Sequence, residues 1–454
     1  MTTSSEPVIS APPLAGLTTY AHAASPGIGV DATVERLRRY VYLESQCFFL
    51  SAAYFNFISE WEVKGALSLH LWQDAEHSAW LRTRVTEMRT PPHNLDRVPD
   101  PALESFIEEL RHAANTAEFL TGIYAVLKPA LQASYEALLT TSHPLADHPT
   151  RRLLRFMIEE KTEQIAWGRE ALSALVPATD SITAWENHLR AHLAAAGGVD
   201  GTESHAAATA LPRREGSFPP SQIPRRDQRF PHVWNSRGVV PPPESPVHER
   251  IWWMMNVRLN EMHVSELIAS VITDWKGQPW AFYRDLARHL WDETRHCMLG
   301  EVAFASQGID FTKIPTHVGF AEYPNTKLEP ADRYAFLWGI EQGLMVKSGK
   351  QAEVALAKAG HDELAIMFQD FDWADEVLHA QIGRRWLEQK YGSREAMNVV
   401  YDRVRPPYDQ MKDEDLRLPG RNWWPEFYAR YLKDKDTSPG REITSAPPIP
   451  GSGY

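Results

Sequence analysis

The sequence predicts an all-α protein made of two tandem four-helix bundles related by internal duplication. From residue 32 onward apolar residues recur at spacings of three and four, which is the period of amphipathic helices. A Pro-, Gly- and Arg-rich stretch at 197–246 interrupts this pattern and separates two helical halves. The eight residues His70–His77 align without a gap with His289–His296, which indicates that one half is a copy of the other.

These observations divide the chain into five parts. They are an N-terminal arm (1–31), a first helical domain (32–196), a linker (197–246), a second helical domain (247–402) and a tail expected to pack on the bundle (403–454). The predicted helices of the first domain span 32–60, 62–90, 101–142 (one helix kinked at Pro129, or two helices), 149–175 and 181–196. Those of the second domain span 247–275, 279–307, 330–358 and 361–390. We expect the arginines of the linker to be solvated.

Composition and charge exclude several classes of function. The net charge of -12 argues against a nucleic-acid partner, which would need a clustered basic face. Cys47 and Cys297 are far apart, which fits a reducing cytoplasm and excludes a disulfide scaffold. The N-terminus lacks a basic segment leading into an apolar one, and no apolar run reaches membrane-spanning length. We therefore expect a cytoplasmic protein without a secretory signal or a membrane partner.

The strongest motif is Asp-Glu-x-x-His, which occurs twice in the second domain. Glu293 and His296 are separated by about one helical turn, as are Glu376 and His379, so each pair projects from one face of its helix. A single Glu-x-x-His is common on solvated helices. Two copies, with a Glu on each of two further helices, form the constellation that binds two metal ions inside four-helix bundles.

Glu261 and Glu341 are the candidates for the two further carboxylates. Glu261 lies fourteen residues before Trp275 and Glu293 lies fourteen after Pro279, on either side of a predicted turn. Both are therefore roughly 21 Å from that turn and at one height in a helical hairpin. Four buried carboxylates would repel one another without cations, whereas two divalent ions balance their charge.

These residues resemble the ferritin-like diiron-carboxylate superfamily, which includes the bacterial hydrocarbon monooxygenases and the ribonucleotide reductase small subunit. The resemblance covers about 250–390 and implies ferritin-like bundles and six metal ligands: Glu261, Glu293, His296, Glu341, Glu376 and His379. It also implies that Asp292 and Asp375 brace ligand histidines through hydrogen bonds. His289, four residues before Glu293, resembles the additional histidine of arylamine N-oxygenases, and it is equally explained as a core or bracing residue.

The first half has a degraded version of this ligand set. The corresponding positions are Glu44, Asp74, His77, Glu118, Glu160 and Glu163. Asp is one methylene shorter than Glu, and Glu163 adds a negative charge where the second half has a histidine. We therefore expect the first half to serve packing rather than catalysis with metal.

The resemblance implies a non-haem diiron oxygenase or oxidase that activates O2. Its substrate would be a small organic molecule, which is hydroxylated, N-oxygenated, desaturated or oxidatively cleaved. The cofactor would be two Fe ions, with a Mn/Fe pair as the other option, and the electrons would come from an external donor because the chain has no flavin or nicotinamide fingerprint. The alternative is a non-catalytic iron-binding ferritin-like protein. The sequence leaves the oligomeric state open, a homo-oligomer included.

Overall fold

The computed structural model describes residues 11–89, 95–176, 179–203, 211–215, 221–235 and 240–435. Within them the first helices are α1 (Tyr20–Ala23), α2 (Val30–Phe55), α3 (Trp61–Glu87), α4 (Pro101–Leu110), α5 (Thr116–Leu120), α6 (Lys128–Thr141), α7 (His148–Leu175) and α8 (Asp180–Ala195). The remaining helices are α9 (Val247–Leu259), α10 (Met262–Asp274), α11 (Trp280–Ala305), α12 (Gly319–Lys327), α13 (Pro330–Leu344), α14 (Lys350–Ala359), α15 (Glu363–Tyr391), α16 (Arg394–Leu416) and α17 (Trp424–Phe427). Short 3-10 segments at Leu14–Gly16 and Phe311–Lys313 and π-helical turns at Thr121–Leu127 and Tyr428–Leu432 complete the helical structure.

The described strands are β1 (His232–Val233) and β2 (Thr316–His317), which pair in parallel. Because these strands have only two residues each and the other described elements are helical, the all-α prediction is confirmed. Among the described helices, none is both apolar enough and long enough to cross a membrane. The arm at 1–10, the Pro91–Pro92 helix end and the tail from 436 lie outside the described residues.

The chain packs as two compact units. The first unit comprises residues 1–46 and 77–217, and the second comprises 47–76 and 218–454. Residues 47–76, predicted to be part of the first domain, pack in the second unit.

The core of the second unit is organised around α11. This helix packs against α9, α10 and α15, while α13 packs against α10, α15 and α16. The chain enters α11 through the predicted turn, where Gly277 adopts a φ of 75° that favours glycine. Asp362 is the N-cap of helix α15, and its side chain accepts a 2.9 Å hydrogen bond from the Ala365 N–H. These contacts place the two Asp-Glu-x-x-His segments on neighbouring helices.

Two predicted helices are interrupted in the structure. The predicted helix 247–275 breaks at Asn260–Glu261, because the Asn260 side chain donates to the Asn256 carbonyl and accepts from the His317 N–H. The predicted helix 330–358 breaks at 345–349, between Gly343 and Gly349, which are poor helix formers.

The expectation that the linker arginines are solvated is wrong for Arg226. Its side chain is only 9% exposed and forms an ion pair with the buried Glu266. Arg225 stacks over the Phe57 ring at 3.7 Å. The described part of the linker is therefore bound to the helices by specific contacts.

Candidate metal centre

All six predicted ligands are buried in the second unit. Glu261 sits at the break between α9 and α10, and Glu341 lies on α13. The motif on α11 supplies Glu293 and His296, and the motif on α15 supplies Glu376 and His379. The interruption after Asn260 therefore falls directly at one candidate ligand.

One group of candidate ligands surrounds His289. The donor atoms of His289, Glu293, Glu341 and His379 all lie within 4.8 Å of one another. His289 Nε2 is 2.8 Å from Glu341 Oε1 and 3.4 Å from Glu293 Oε1. His379 Nδ1 is 3.2 Å from the same Glu293 oxygen. His289 Nδ1 also lies 3.3 Å from the Tyr334 hydroxyl, so both interpretations of His289, an additional ligand and a core or bracing residue, stay open.

A second group surrounds His296. It consists of Glu261, Glu293 and His296, and it continues through His296 to Asp372 and Glu376. His296 Nδ1 lies 3.5 Å from Glu261 Oε2 and 3.9 Å from Glu293 Oε2. Glu293 thus directs Oε1 towards the first group and Oε2 towards the second. A carboxylate in this position can bridge two metal ions.

The buried donor atoms of the cluster test whether it fits metal ions. Five of them have no hydrogen-bond partner among the described residues: His296 Nδ1, His379 Nδ1, Glu261 Oε2, Glu341 Oε2 and Glu376 Oε2. A buried polar atom left unpaired costs about 1–3 kcal/mol, so several in one place require an explanation. Carboxylate oxygens and imidazole nitrogens are suitable ligands for divalent iron or manganese. The donor set therefore fits two such ions.

Asp292 and Asp375 contact histidines across the helix pair. Asp375 Oδ2 is 3.1 Å from Nε2 of His296, and Asp292 Oδ2 is 3.4 Å from Nε2 of His379. Each aspartate of one motif therefore faces the histidine of the other. Arg295 donates to both aspartates, at 2.6 and 2.7 Å. The contacts turn each Nδ1 towards the cluster.

Three residues of the cluster were missed by sequence reasoning. Asp372 is fully buried and lies 3.4 Å from His296 Nδ1. Its position four residues before Glu376, on the same helical face, could have identified it. The buried cations Arg258 and Lys350 both bond Asp372. Lys350 Nζ also lies 3.0 Å from Glu376, and Arg258 lies 3.1 Å from Glu261.

Burial and charge shift the pKa values of the cluster in opposite directions. Burial raises the pKa of Glu261, Glu341 and Glu376. Burial acts on Glu293 in the same sense, but the neighbouring imidazoles of His289 and His379 outweigh it and hold its pKa well below the ordinary value. Burial also lowers the pKa of His296, yet Asp372, Asp375 and Glu261 outweigh this effect and raise it to about 10. Without metal, protons on the imidazoles partly balance the carboxylates.

The structure brings part of the first-half set together. His77 lies 3.5 Å from Glu44 and 2.7 Å from Glu160. Glu163 is exposed, and Glu118 is bound by Arg214 at 2.6 Å. Asp74 is buried on α3, one turn before His77.

A lysine neutralises Glu44 in the first unit. Lys161 Nζ bonds Glu44 Oε2 at 2.9 Å, and the Tyr135 hydroxyl donates to Glu44 Oε1 at 2.6 Å. The Glu44 carboxylate therefore has a buried ammonium group as its counter-ion.

Removing a donor from the second unit should abolish stoichiometric metal binding. We expect Glu293→Ala and His379→Ala to lose bound iron, because Glu293 belongs to both groups and His379 supplies an inward Nδ1. Asp74→Ala is the matched control and should bind as much iron as the unchanged protein. The measurement is iron per chain after anaerobic loading and desalting. Equal loss in the Asp74 variant would contradict the assignment.

Lys350→Met should destabilise the metal-free protein by about 3 kcal/mol, because it leaves Asp372 and Glu376 without a buried counter-ion. Bound divalent metal should restore much of this loss, since it supplies the missing charge. Thermal denaturation with and without metal measures both effects. Lys412→Met, which removes a partly exposed lysine paired with Asp409, should stay within about 0.5 kcal/mol. A Lys350 variant whose stability is unchanged would show that the ammonium group does not neutralise the cluster.

Metal binding should release protons, and the metal affinity should rise with pH up to about 10. The reason is that a metal-bound imidazole must be unprotonated, whereas His296 in the metal-free protein has a pKa of about 10. Calorimetric titration in buffers of different ionisation enthalpy counts the protons released. Between about pH 6 and 9 the solution pH lies below the raised pKa of His296, so the affinity should rise throughout this interval. Binding that is independent of pH there would contradict a protonated histidine.

Comparison with known proteins gives one match in sequence. Residues 190–410 match a family model described as a protein of unknown function (DUF455). The matched segment contains all the candidate ligands of the second unit. No curated protein matches the chain, and no solved structure matches it.

Proposed function

We propose that the second unit binds two iron ions and that the protein is an O2-dependent oxidoreductase acting on a small organic molecule. The observation that supports this most strongly is the pair of ligand groups that share Glu293. One carboxylate faces both groups, and unpaired imidazole and carboxylate atoms surround it. The resemblance to diiron-carboxylate proteins turns this geometry into a proposal for the metal and its chemistry.

The charges of the cluster are consistent with divalent ions. Arg258 and Lys350 form ion pairs with Glu261, Asp372 and Glu376. Glu293 and Glu341 contact only histidines among the ion pairs of the described residues. Counting all five carboxylates against the two basic side chains leaves an excess of three negative charges, before any proton on the histidines. Two divalent cations would supply four positive charges, one more than this excess. A Mn/Fe pair satisfies the same requirement, and metal analysis distinguishes the two.

The side chains of the chain itself would orient the centre. Bound iron would supply the electron transfer to O2 that amino-acid side chains cannot provide. Glu293 would span the two positions, while Asp375 and Asp292 would keep the rings of His296 and His379 facing inward. An external donor would supply electrons, as expected for a chain without a flavin or nicotinamide fingerprint.

We propose further that the two helical halves are duplicated ferritin-like bundles. In the first unit His77 Nδ1 lies 3.5 Å from Glu44, and in the second unit His296 Nδ1 lies 3.5 Å from Glu261. The alignment of His70–His77 with His289–His296 equates the two histidines, and Glu44 is the first-half residue that corresponds to Glu261 in the predicted ligand sets. The agreement supports a common ancestor for the two halves, of which the first has a lysine in place of metal.

Oxygen consumption by the ferrous protein tests the proposed activity. Protein loaded anaerobically with Fe²⁺ should consume O2 in proportion to protein and yield an oxidised product when a substrate and a reductant are supplied. His379→Ala should consume O2 no faster than free iron, because it lacks one inward imidazole. Iron uptake without any substrate-dependent product would favour the alternative, a non-catalytic iron-binding protein.

A further inference from the structure

A cavity of about 500 Å³ lies beside the candidate metal centre. Its lining includes four candidate ligands, Glu261, Glu293, Glu341 and Glu376, and a fifth carboxylate, Glu353, whereas His289, His296 and His379 do not line it. The cavity therefore meets the cluster on its carboxylate side. Its volume is within the range of sites that enclose small organic ligands.

The walls of the cavity are mainly apolar. They include Trp253, Met254, Val257, Phe320, Leu337 and Ile340, which come from α9, α12 and α13. Such walls stabilise an apolar ligand by removing its surface from water.

The cavity reaches the protein surface at the segment before α9. Val240 and Pro243 line it, and Val240 is 58% exposed. Arg250, in the first turns of α9, also lines this end. The mouth therefore combines a short apolar rim with one arginine.

Arg250 differs from the other polar groups of the lining. Arg258 is bound by Asp372 and Glu261, and Asn256 and Asn260 hydrogen-bond each other. Arg250 forms no ion pair within the described part of the chain, and its 3.4 Å contact with the Pro243 carbonyl is long for a hydrogen bond. Its guanidinium can therefore form an ion pair with an anionic group of a ligand.

We propose that this cavity binds an amphiphilic organic anion, a small molecule with an apolar body and one carboxylate or equivalent group. The anion pairs with Arg250 at the mouth, and the apolar body extends towards Glu261 and Glu341. This assignment rests on the proposed function and specifies its substrate class and orientation. The end of the molecule that approaches the metal centre is the apolar one.

Three probes of equal chain length test the proposal: octanoate, octan-1-ol and octylamine. The protein is loaded with Zn²⁺, which is redox-inert and prevents turnover. Calorimetric titration should give the tightest binding for octanoate, about tenfold tighter than for the alcohol, because a charge-assisted hydrogen bond is added. Octylamine should bind more weakly than octanoate, since its ammonium group meets the Arg250 guanidinium.

Variants separate the role of Arg250 from general effects of charge. Arg250→Gln should reduce octanoate binding about tenfold to the level of the alcohol, and Arg250→Lys should retain part of the preference. Arg384→Gln is the matched control, because Arg384 is an exposed arginine of α15 that does not line the cavity. Leu344→Trp, which narrows the cavity at a half-buried lining position, should weaken the binding of all three probes.

The proposal is overturned if octanoate and octanol bind equally, if no probe binds, or if Arg250→Gln leaves octanoate binding unchanged. These outcomes are independent of oxygen chemistry, because the titration uses zinc-loaded protein and is repeated on metal-free protein. Failure of the proposed function would instead appear as an absence of O2 consumption by ferrous protein that still binds octanoate.

Discussion

The second unit depends on the compensation of negative charge in a buried space. Five carboxylates from four helical segments converge there, and all five residues are buried. The protein places two basic side chains and three imidazoles among them, and burial and neighbouring charges shift the pKa values of the group in both directions. The ion pairs and the crossed aspartate–histidine contacts place positive charge or hydrogen-bond donors next to these carboxylates. The helix break at Asn260–Glu261 positions one of the carboxylates among them.

The two halves of the chain meet the same constraint in different ways. In the first unit Lys161 neutralises Glu44 directly, and the Tyr135 hydroxyl donates a hydrogen bond to the same carboxylate. Glu44 therefore needs no further cation. In the second unit Arg258 and Lys350 bind only some of the carboxylates, and inward donor atoms remain unpaired among the described residues. One lysine therefore converts a candidate metal position into an ordinary buried ion pair.

Local helix geometry explains which parts of the site could be predicted from the sequence. The pairs Glu293–His296 and Glu376–His379 depend only on the helical repeat, and the spacing to the predicted turn was sufficient to choose Glu261. The same helical repeat places Asp372, four residues before Glu376, on the same face and could have predicted it. Arg258 and Lys350 reach the cluster through tertiary packing, and the breaks at 260–261 and 345–349 depend on contacts with distant residues and on glycine. No periodic pattern predicts such features.

The two candidate metal positions are not equivalent in charge. In the described structure no lysine or arginine forms an ion pair with Glu293 or Glu341, the carboxylates of the group around His289. The group around His296 is in contact with both Arg258 and Lys350. At the first position an incoming cation would therefore meet only imidazoles, which can release their protons, whereas at the second it would be repelled by two fixed positive charges. We therefore expect the first position to fill before the second, and Lys350 to stabilise the empty second position until a metal ion replaces its charge.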